Sequence, residues 1–206
     1  MGLTLALPKS RLLERFVAFA STRGLPFEDA ALRDDRTLVR DAGGTRLLLL
    51  KDADVPVYVA QGVADAGVAG LDQILERGED VLRLVRFPFG HCRLCLIALE
   101  GVRPWERGEA PVIASKYPRL AAEEARRRGR SATVIPLAGS VELAARLGLA
   151  DAVVDLVETG RTLRENGLHP VEEWLQVAPY LIANRAALFT KRGEIGALRR
   201  ALGGER

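Results

Sequence analysis

Residues 151–167 read DAVVDLVETGRTLRENG, and this stretch decides the fold. The apolar, valine-rich run from Ala152 to Val157 predicts a strand, and the Thr-Gly pair that follows it predicts a tight turn. The segment from Leu163 to Asn166 is typical of a helix. A strand that leads through a turn into a helix is the repeating unit of α/β proteins, so the stretch predicts an α/β fold.

The predicted turn, residues 158–162, has the composition of an anion-binding site. Backbone N–H groups at the start of a helix point outward, where the helix dipole favours negative charge. Thr159 and Thr162 would add hydroxyl donors, and Gly160 would let the backbone approach a ligand closely. Arg161 would either add positive charge or point into solvent. The turn therefore predicts a phosphate site, with an ordinary threonine-capped turn as the alternative.

Two carboxylates lie beside this turn. Asp155 belongs to the predicted strand and Glu158 begins the turn, where their oxygens could accept hydrogen bonds from sugar hydroxyls. The alternative for Asp155 is a strand-end residue that caps the next turn. A phosphate in the turn with a ribose beside the acids indicates a ribose-phosphate ligand.

The rest of the chain continues the alternation of apolar strands with helical patterns. The predicted strands span residues 3–7, 46–50, 64–69, 81–87, 93–99, 112–114, 133–135, 152–157 and 175–183. The predicted helices span residues 9–23, 55–61, 71–77, 118–128 and 141–147, and Asp54 and Ser140 are interpreted as N-caps. The pattern changes near residues 88–90, so the segment beyond them is interpreted as a second lobe.

Composition excludes several classes of protein. Hydrophobic residues make up 48% of the 206 residues, and no apolar run reaches the ~18 residues that span a bilayer. The N-terminal apolar run breaks at Pro8-Lys9 without a basic segment before it, which argues against a secretory signal. The net charge is only +3, and no nucleic-acid recognition motif accompanies it. We expect a cytoplasmic protein that binds neither membrane nor nucleic acid.

Cys92 and Cys95 form a lone Cys-x-x-Cys within a predicted strand. Residues three apart on a strand point to opposite faces, so the two thiols should diverge. The sequence has no second cysteine pair that could complete a zinc site. We expect buried, reduced thiols and no metal held by the protein.

A longer spaced pattern extends from the turn in both directions. It includes Glu142, Gly148, Ala150, Val153, Asp155, Leu156, Thr159, Gly160, Thr162 and Leu163. Further segments that fit are LPKSRL at 7–12, DVP at 54–56, Tyr58, Val59, Gly62, Asp65, Gly67, Gly70, Asp72, SKYP at 115–118 and NGL at 166–168. Together they resemble ATP phosphoribosyltransferase, the first enzyme of histidine biosynthesis, over nearly the whole chain. Ser10 departs from the pattern, because the family usually has glycine there.

The resemblance implies a fold and a reaction. The fold would be a two-lobed α/β fold like that of the type II periplasmic binding proteins, with the active site in the interlobe cleft. Lobe I would comprise residues 1–89 plus 175–206, and lobe II would comprise residues 90–174 with the phosphate turn. The reaction would join N1 of ATP to the anomeric carbon of phosphoribosyl pyrophosphate (PRPP) and release pyrophosphate. Because adenine N1 is itself the nucleophile, the protein would position the substrates and neutralise charge, with Mg²⁺ held largely by substrate oxygens.

The resemblance also implies roles for individual residues in PRPP binding and catalysis. The PRPP-binding residues would be Asp155, Glu158, Thr159, Gly160, Arg161 and Thr162, and the catalytic residues would be Asp155, Glu142 and Lys9. Common phosphoribosyltransferases place two adjacent acids before Thr-Gly-x-Thr, but this chain has Leu156-Val157 after Asp155. Glu142 is therefore the candidate second acceptor for the ribose, with a surface helix residue as the alternative.

The implied ATP-binding residues are Lys9, Arg11, Gly67, Asp72, Lys116 and Tyr117. Lys9 and Arg11 stand at the start of a predicted helix, where cations are unfavourable unless an anion compensates them. Two exposed basic residues are the alternative. Gly67 would allow a nucleotide to approach the backbone, and Tyr117 would either stack on adenine or pack as a partly buried aromatic.

The sequence has two alternative functional interpretations. A ligand-binding or sensor module of the same fold family, without catalysis, is the alternative from another class. A phosphoribosyltransferase for a free base is disfavoured by the missing acid pair.

About 20 residues follow the last predicted strand, too few for an independent core, so the chain resembles the short form of the family. In that form the catalytic chain assembles with a regulatory subunit similar to histidyl-tRNA synthetase.

Overall fold

A computed structural model describes residues 2–27, 38–106 and 108–203 of the chain. They form two compact units, which we call unit 1 (Met1–Gly90 with Ala178–Arg206) and unit 2 (His91–Val177). The chain therefore leaves unit 1 once and returns to it. Each unit contains a β-sheet with helices packed against it. This architecture confirms the predicted α/β class.

The described residues form eleven strands and eight α-helices. The strands are β1 (Thr4–Pro8), β2 (Val39–Ala42), β3 (Thr45–Leu50), β4 (Ala66–Gly70), β5 (Leu82–Arg86), β6 (Cys92–Leu99), β7 (Val112–Ser115), β8 (Thr133–Pro136), β9 (Ala152–Val157), β10 (Leu168–Val177) and β11 (Pro179–Ala183). The helices are α1 (Arg11–Ser21), α2 (Val55–Ala60), α3 (Leu71–Arg77), α4 (Pro118–Arg127), α5 (Val141–Arg146), α6 (Arg161–Glu165), α7 (Ala187–Thr190) and α8 (Arg192–Ala201). Short 3₁₀ helices lie at Asp52–Asp54 and Pro104–Glu106.

The sheet of unit 1 has the strand order β2-β3-β1-β4-β11-β5. Strand β1 is parallel to both β3 and β4, whereas β11 is antiparallel to β4. The carboxyl ends of three parallel strands therefore share one edge of the sheet. In α/β proteins this edge is where ligands commonly bind.

Helices cover both faces of this sheet. Helix α1 buries Phe16, Val17 and Ala20 in a core that also contains Leu5 and Leu7 of β1. Helices α2 and α3 contribute to a second core, which contains Ala6 of the same strand. Because side chains alternate along a strand, Leu5 and Ala6 point to opposite faces. Unit 1 is thus a sheet between two helical layers.

Helix α1 begins at the position where the sequence departs from the family pattern. Ser10 is its N-cap, with φ −107° and ψ −175°, an extended conformation that requires no glycine. The Ser10 hydroxyl accepts the N–H of Leu12 at 3.3 Å and donates to the Asp52 carboxylate at 2.7 Å. Serine therefore caps the helix and joins it to the loop after β3.

The sheet of unit 2 has the strand order β10-β6-β9-β7-β8. Strands β9, β7 and β8 are parallel, and β6 is antiparallel to both β9 and β10. Helix α4 packs against β7 and β8. Helices α5 and α6 cover Val153 and Val157 of β9 with Val141, Ala144 and Leu163. The turns that follow β7 and β9 therefore lie at the same edge of this sheet.

One structural prediction was wrong, and two strands were missed wholly or in large part. The strand predicted over residues 175–183 is two strands in different sheets, because the chain passes from β10 to β11 at Ala178. Strand β2 and most of β10 were not predicted. Asp54 and Ser140 are the N-cap residues of α2 and α5 as predicted, although neither side chain makes a capping hydrogen bond. In the part of the chain that the structure describes, no helix has the length and apolar character needed to cross a bilayer.

Candidate active site

The turn between β9 and α6 is formed by Glu158, Thr159 and Gly160. Gly160 has φ 71°, a left-handed conformation that glycine adopts without strain, and it is the N-cap of α6. The helix begins at Arg161, so Thr162 lies in its first turn. Both threonines are exposed. Since the first N–H groups of a helix have no partners within it, the turn combines backbone donors with two accessible threonines.

Asp155 lies on β9, three residues before the turn, and only 15% of its side chain is exposed. Its Oδ1 accepts the N–H of Leu156 at 2.8 Å, and its Oδ2 lies 3.6 Å from Nζ of Lys116. Burial raises the pKa of Asp155; the hydrogen bond from Leu156 and the charge of Lys116 oppose this rise, and the charge of Glu142 adds to it. A desolvated carboxylate beside one cation is typical of functional sites.

Lys116 and Tyr117 form the turn from β7 into α4. Ser115, at the end of β7, is fully buried. Its hydroxyl donates to the carbonyl of Val154 at 2.7 Å and accepts the N–H of Tyr117 at 2.9 Å. Tyr117 is only 7% exposed, which favours the packed aromatic over stacking on adenine. Its contact with ATP stays a prediction.

Glu142 lies in the first turn of α5 and is half-buried. Its charge acts on Asp155, so the structure brings these two acids near each other. Ser140 precedes the helix with φ 49°. It is the non-glycine residue with positive φ in the described part of the chain. Such strained backbone is concentrated at functional sites.

Arg161 is engaged on the surface. Its Nε donates to Glu165 at 2.9 Å, one helical turn away, and 81% of its side chain is exposed. This geometry favours the alternative in which the arginine faces solvent. Binding of PRPP by Arg161 stays a prediction.

Lys9 and Arg11 follow β1 at the carboxyl edge of the unit 1 sheet, and both are exposed. The N–H of Lys9 donates to the carbonyl of Leu50 at the end of β3, at 2.7 Å. Glu14 in the first turn of α1 places one negative charge near them. The two cations thus lie where the parallel strands β1 and β3 end.

Gly67 and Asp72 belong to β4 and α3. A Cβ at Gly67 would lie 2.9 Å from methyl carbons of Val55 and Val59 and 3.0 Å from the carbonyl of Ala6. The space that glycine leaves open is therefore filled by helix α2, and the packing of that helix accounts for the residue. Asp72 is 6% exposed and accepts a hydrogen bond from its neighbour Gln73 at 2.9 Å.

The predicted site residues fall into two groups. Unit 2 brings together Asp155, Lys116 and Glu142, with the turn at 158–162 following the same strand as Asp155. Unit 1 carries Lys9, Arg11, Gly67 and Asp72. Ser115 was quoted from the sequence only as part of SKYP and was given no role, although a serine three residues before a proline that begins a helix is a local signal for a hydroxyl-capped turn.

Both cysteines are free thiols. Cys95 is buried and lies opposite Asp155 in the ladder between β6 and β9, whereas Cys92 is half-buried. Burial raises the pKa of Cys95, Arg93 lowers it and Glu173 raises it. The Cys95 thiol therefore stays protonated at neutral pH and is a poor nucleophile.

No group of three or more His, Cys, Asp or Glu residues that could hold a metal occurs among residues 2–27, 38–106 and 108–203. The family requires a divalent cation.

The fold and the site together define the class as a two-unit α/β protein with exposed threonines in a strand-end turn next to a desolvated acid. Residues 51–204 match the family model described as ATP phosphoribosyltransferase. The chain is 44% identical over 196 residues to the ATP phosphoribosyltransferase of Deinococcus deserti, covering 95% of this chain and 89% of that protein. The corresponding protein of Thermus thermophilus is 42% identical over 198 residues, covering 96% and 93%. The chain belongs to the ATP phosphoribosyltransferase family.

A solved structure shows the same fold. The structure described as "ATP phosphoribosyl transferase (HisG:HisZ) complex from Thermotoga maritima" matches with a TM-score of 0.84 and 33% sequence identity, covering 97% of this chain and 96% of that chain. The periplasmic-binding-protein-like fold is thereby confirmed. The chain catalyses the first step of histidine biosynthesis, and the alternative of a non-catalytic binding module is not favoured.

Proposed function

We propose that unit 2 binds PRPP, with its 5′-phosphate in the turn Glu158–Thr162 and its ribose beside Asp155. The observation that carries the proposal is the partly desolvated Asp155 on the strand that leads into the turn. A phosphate would accept hydrogen bonds from the first N–H groups of α6 and from Thr159 and Thr162. Asp155 would accept hydrogen bonds from ribose hydroxyls. Glu142 supplies a second acceptor for the same ribose.

The reaction places specific demands on these residues. Attack by adenine N1 on the anomeric carbon builds positive charge on the ribose and negative charge on the departing pyrophosphate. The carboxylates of Asp155 and Glu142 would stabilise the ribose, and the charge of Lys116, 3.6 Å from Asp155, opposes the rise in the pKa of Asp155 that burial causes. Lys9 supplies positive charge for the pyrophosphate or for the phosphates of ATP. No nucleophilic side chain is needed, because N1 carries the attacking lone pair.

ATP binding is proposed for residues of both groups. Lys9 and Arg11 are exposed cations at the carboxyl edge of the unit 1 sheet, suited to the triphosphate. Asp72 lies in the first turn of α3, just beyond the carboxyl end of β4, whereas Gly67 is buried near the amino end of β4 against helix α2. Lys116 and Tyr117 lie in the turn after β7. The exposure of the two cations supports their part most directly.

Mg²⁺ is proposed as the divalent cation, and it enters with the pyrophosphate of PRPP. It would neutralise charge on the leaving group and would be held largely by oxygens of the substrate. The cytoplasm is the proposed location, because ATP and PRPP are made there.

The phosphate turn is tested with Thr159→Val and Thr162→Val. Each change removes one hydroxyl and keeps the shape of the side chain. Loss of a hydrogen bond to a charged phosphate costs about 1.5–3 kcal/mol, so kcat/KM for PRPP should fall about 10- to 150-fold. Thr133→Val is the matched control, because Thr133 is an exposed threonine on β8 of the same unit. Wild-type kinetics in both turn variants would refute the site.

We also propose that the chain is a short-form catalytic subunit that assembles with a histidyl-tRNA-synthetase-like regulatory subunit. The structural match to the chain from the HisG:HisZ complex, over 96% of that chain, supports this assembly. Feedback inhibition needs a second ligand site, which the partner would supply. The isolated chain should therefore be insensitive to histidine, and the complex should be inhibited by it. Sub-millimolar binding of histidine to the purified chain alone, measured by calorimetry, would contradict the assignment.

A further inference from the structure

We propose that Ser115 is a positioning residue for the reaction: its buried hydroxyl fastens the turn that carries Lys116 to the strand that carries Asp155. The inference rests on the proposed role of Asp155 in PRPP binding. Ser115 itself is fully buried and cannot touch a substrate. It would act only through the two residues that it holds in place.

The Ser115 hydroxyl joins two segments of unit 2. It donates to the carbonyl of Val154 at 2.7 Å, and Val154 directly precedes Asp155 on β9. It also accepts the N–H of Tyr117 at 2.9 Å. Lys116 lies between the two residues that this hydroxyl links. The backbone on both sides of Lys116 is therefore fixed relative to β9.

This link closes a small loop of contacts. It runs from the Ser115 hydroxyl to the Val154 carbonyl, along the chain to Asp155, across 3.6 Å to Nζ of Lys116 and back to Ser115. The Ser115 carbonyl also accepts the N–H of Leu137, after β8, at 2.9 Å. This second bond is a backbone bond that any residue could make, so the tie to β9 is the part that the serine hydroxyl contributes.

The bond from Tyr117 has a local reason that does not by itself explain the bond to Val154. A hydroxyl that accepts the N–H two residues later stabilises a turn, and Pro118 at the start of α4 has no N–H to offer. A turn of this kind needs only the acceptor function of serine. The donor function is directed at the strand of Asp155, across 39 residues of sequence.

The charge environment of Asp155 makes the position of Lys116 consequential. Glu142 on α5 acts on Asp155 with like charge, and the Cys95 thiol lies opposite it on β6. Lys116 is the cation that lowers the pKa of Asp155 against burial and Glu142. A displaced Lys116 would leave the carboxylate with less compensation, so its pKa would rise further.

The test uses Ser115→Ala, Ser115→Thr, Lys116→Met and the double variant Ser115→Ala/Lys116→Met. Two measurements are made on the full chain with its partner subunit where activity requires it. The first is the titration of the Asp155 carboxyl carbon by NMR, assigned by its loss in Asp155→Asn. The second is the pH profile of kcat/KM for PRPP. Ser131→Ala, at an exposed serine of the same unit, is the matched control.

Ser115→Ala is expected to raise the pKa of Asp155 and move the acidic limb of the profile upward. It should lower kcat/KM at neutral pH by about 5- to 30-fold, the loss typical of one buried hydrogen bond. Ser115→Thr, which keeps the hydroxyl, should restore the wild-type titration. In the Lys116→Met background, Ser115→Ala should have no further effect on Asp155, because the residue it positions is gone.

Two outcomes overturn the inference. One is an unchanged Asp155 titration in Ser115→Ala together with a lower melting temperature, which would make Ser115 merely structural. The other is equal effects of Ser115→Ala with and without Lys116. If Asp155 titrates as expected but kcat/KM is unchanged in every variant, the positioning stands and the role of Asp155 in PRPP binding falls. Should Ser115→Ala fail to fold, Ser115→Cys, of similar size and weaker hydrogen bonding, replaces it with the same expected direction.

Discussion

Replacing Gly67 by alanine separates two roles for this glycine, the packing of helix α2 and the approach of a nucleotide. The new Cβ would lie 2.9 Å from Cγ1 of Val55 and 2.9 Å from Cγ2 of Val59. It would also lie 3.0 Å from the carbonyl oxygen of Ala6 on β1. Carbon atoms in contact prefer separations of about 3.5–4.0 Å, so helix α2 would have to move away from β4.

The cost follows from overpacking a core without a flexible neighbour. Val55 and Val59 are both fully buried and β-branched, so neither can turn its methyl groups aside freely. Overpacking of this kind costs about 1–3 kcal/mol. Alanine also lowers the conformational entropy of the unfolded chain, which stabilises the folded state by about 0.4–1 kcal/mol and offsets part of this cost. We expect a net loss of roughly 1–2 kcal/mol, or about 2–8 °C in melting temperature.

Calorimetry of the wild type, Gly67→Ala and Gly193→Ala measures this effect. Gly193 lies in helix α8 of the same unit, and a Cβ there would meet no atom within 4 Å. Its replacement should leave stability unchanged or raise it by about 0.5–1 kcal/mol, because alanine favours a helix. An unaltered melting temperature in Gly67→Ala with a tenfold higher KM for ATP would refute the packing argument and favour contact with the nucleotide.

Two further predictions concern carboxylates of unit 2. Because burial raises the pKa of Asp155 in the folded state, its ionisation costs stability. This cost is absent at pH values below the pKa of Asp155 in the unfolded chain and is complete at pH values above its pKa in the folded protein. Asp155→Asn should therefore gain stability relative to wild type as pH rises. Urea unfolding of both proteins at matched pH values measures this, and a difference in stability that does not change with pH would contradict it. Glu172 accepts the indole N–H of Trp105 and of Trp174, each at 2.8 Å. Glu172→Gln offers one acceptor for two donors, so the free energy of unfolding of unit 2 should fall by about 1–3 kcal/mol. Fluorescence reports the change directly, because Trp105 and Trp174 are the two tryptophans of the chain. Unchanged emission and stability would argue against the shared carboxylate.

The parts of the fold that the sequence predicted are those with strong local signals. Helix Leu71–Arg77 and strand Ala152–Val157 were predicted with their exact bounds. Each is a short periodic or apolar run bounded by turn residues, such as Gly78 with φ 64° after the helix. Strand β10 was missed because shifts of register after Pro170 and Glu173 break the alternation on which such predictions depend.

The boundary between β10 and β11 shows a second limit of local patterns. Residues 175–183 are nearly all apolar, and such a run predicts one buried strand. In the structure Val177 pairs with Cys92 in one sheet and Pro179 pairs with Gly70 in the other. Which sheet a residue joins depends on partners some 80 to 110 positions away, and hydrophobicity along the chain does not encode them.

Two buried acids of unit 2 show why the site needed the structure. Glu124 is 4% exposed and is held by Arg127 at 2.9 Å and Arg128 at 2.5 Å, three and four residues further along the chain. Asp155 has one cation, at 3.6 Å, beyond a normal hydrogen bond and on another element. A buried carboxylate that only supports the fold is normally compensated in full, as Glu124 is. The incomplete compensation of Asp155 leaves acceptor capacity on its oxygens, which the proposed ribose contact would use. Glu124 finds its cations three and four residues along the chain, whereas the cation beside Asp155 lies 39 residues away, so the local sequence does not show it.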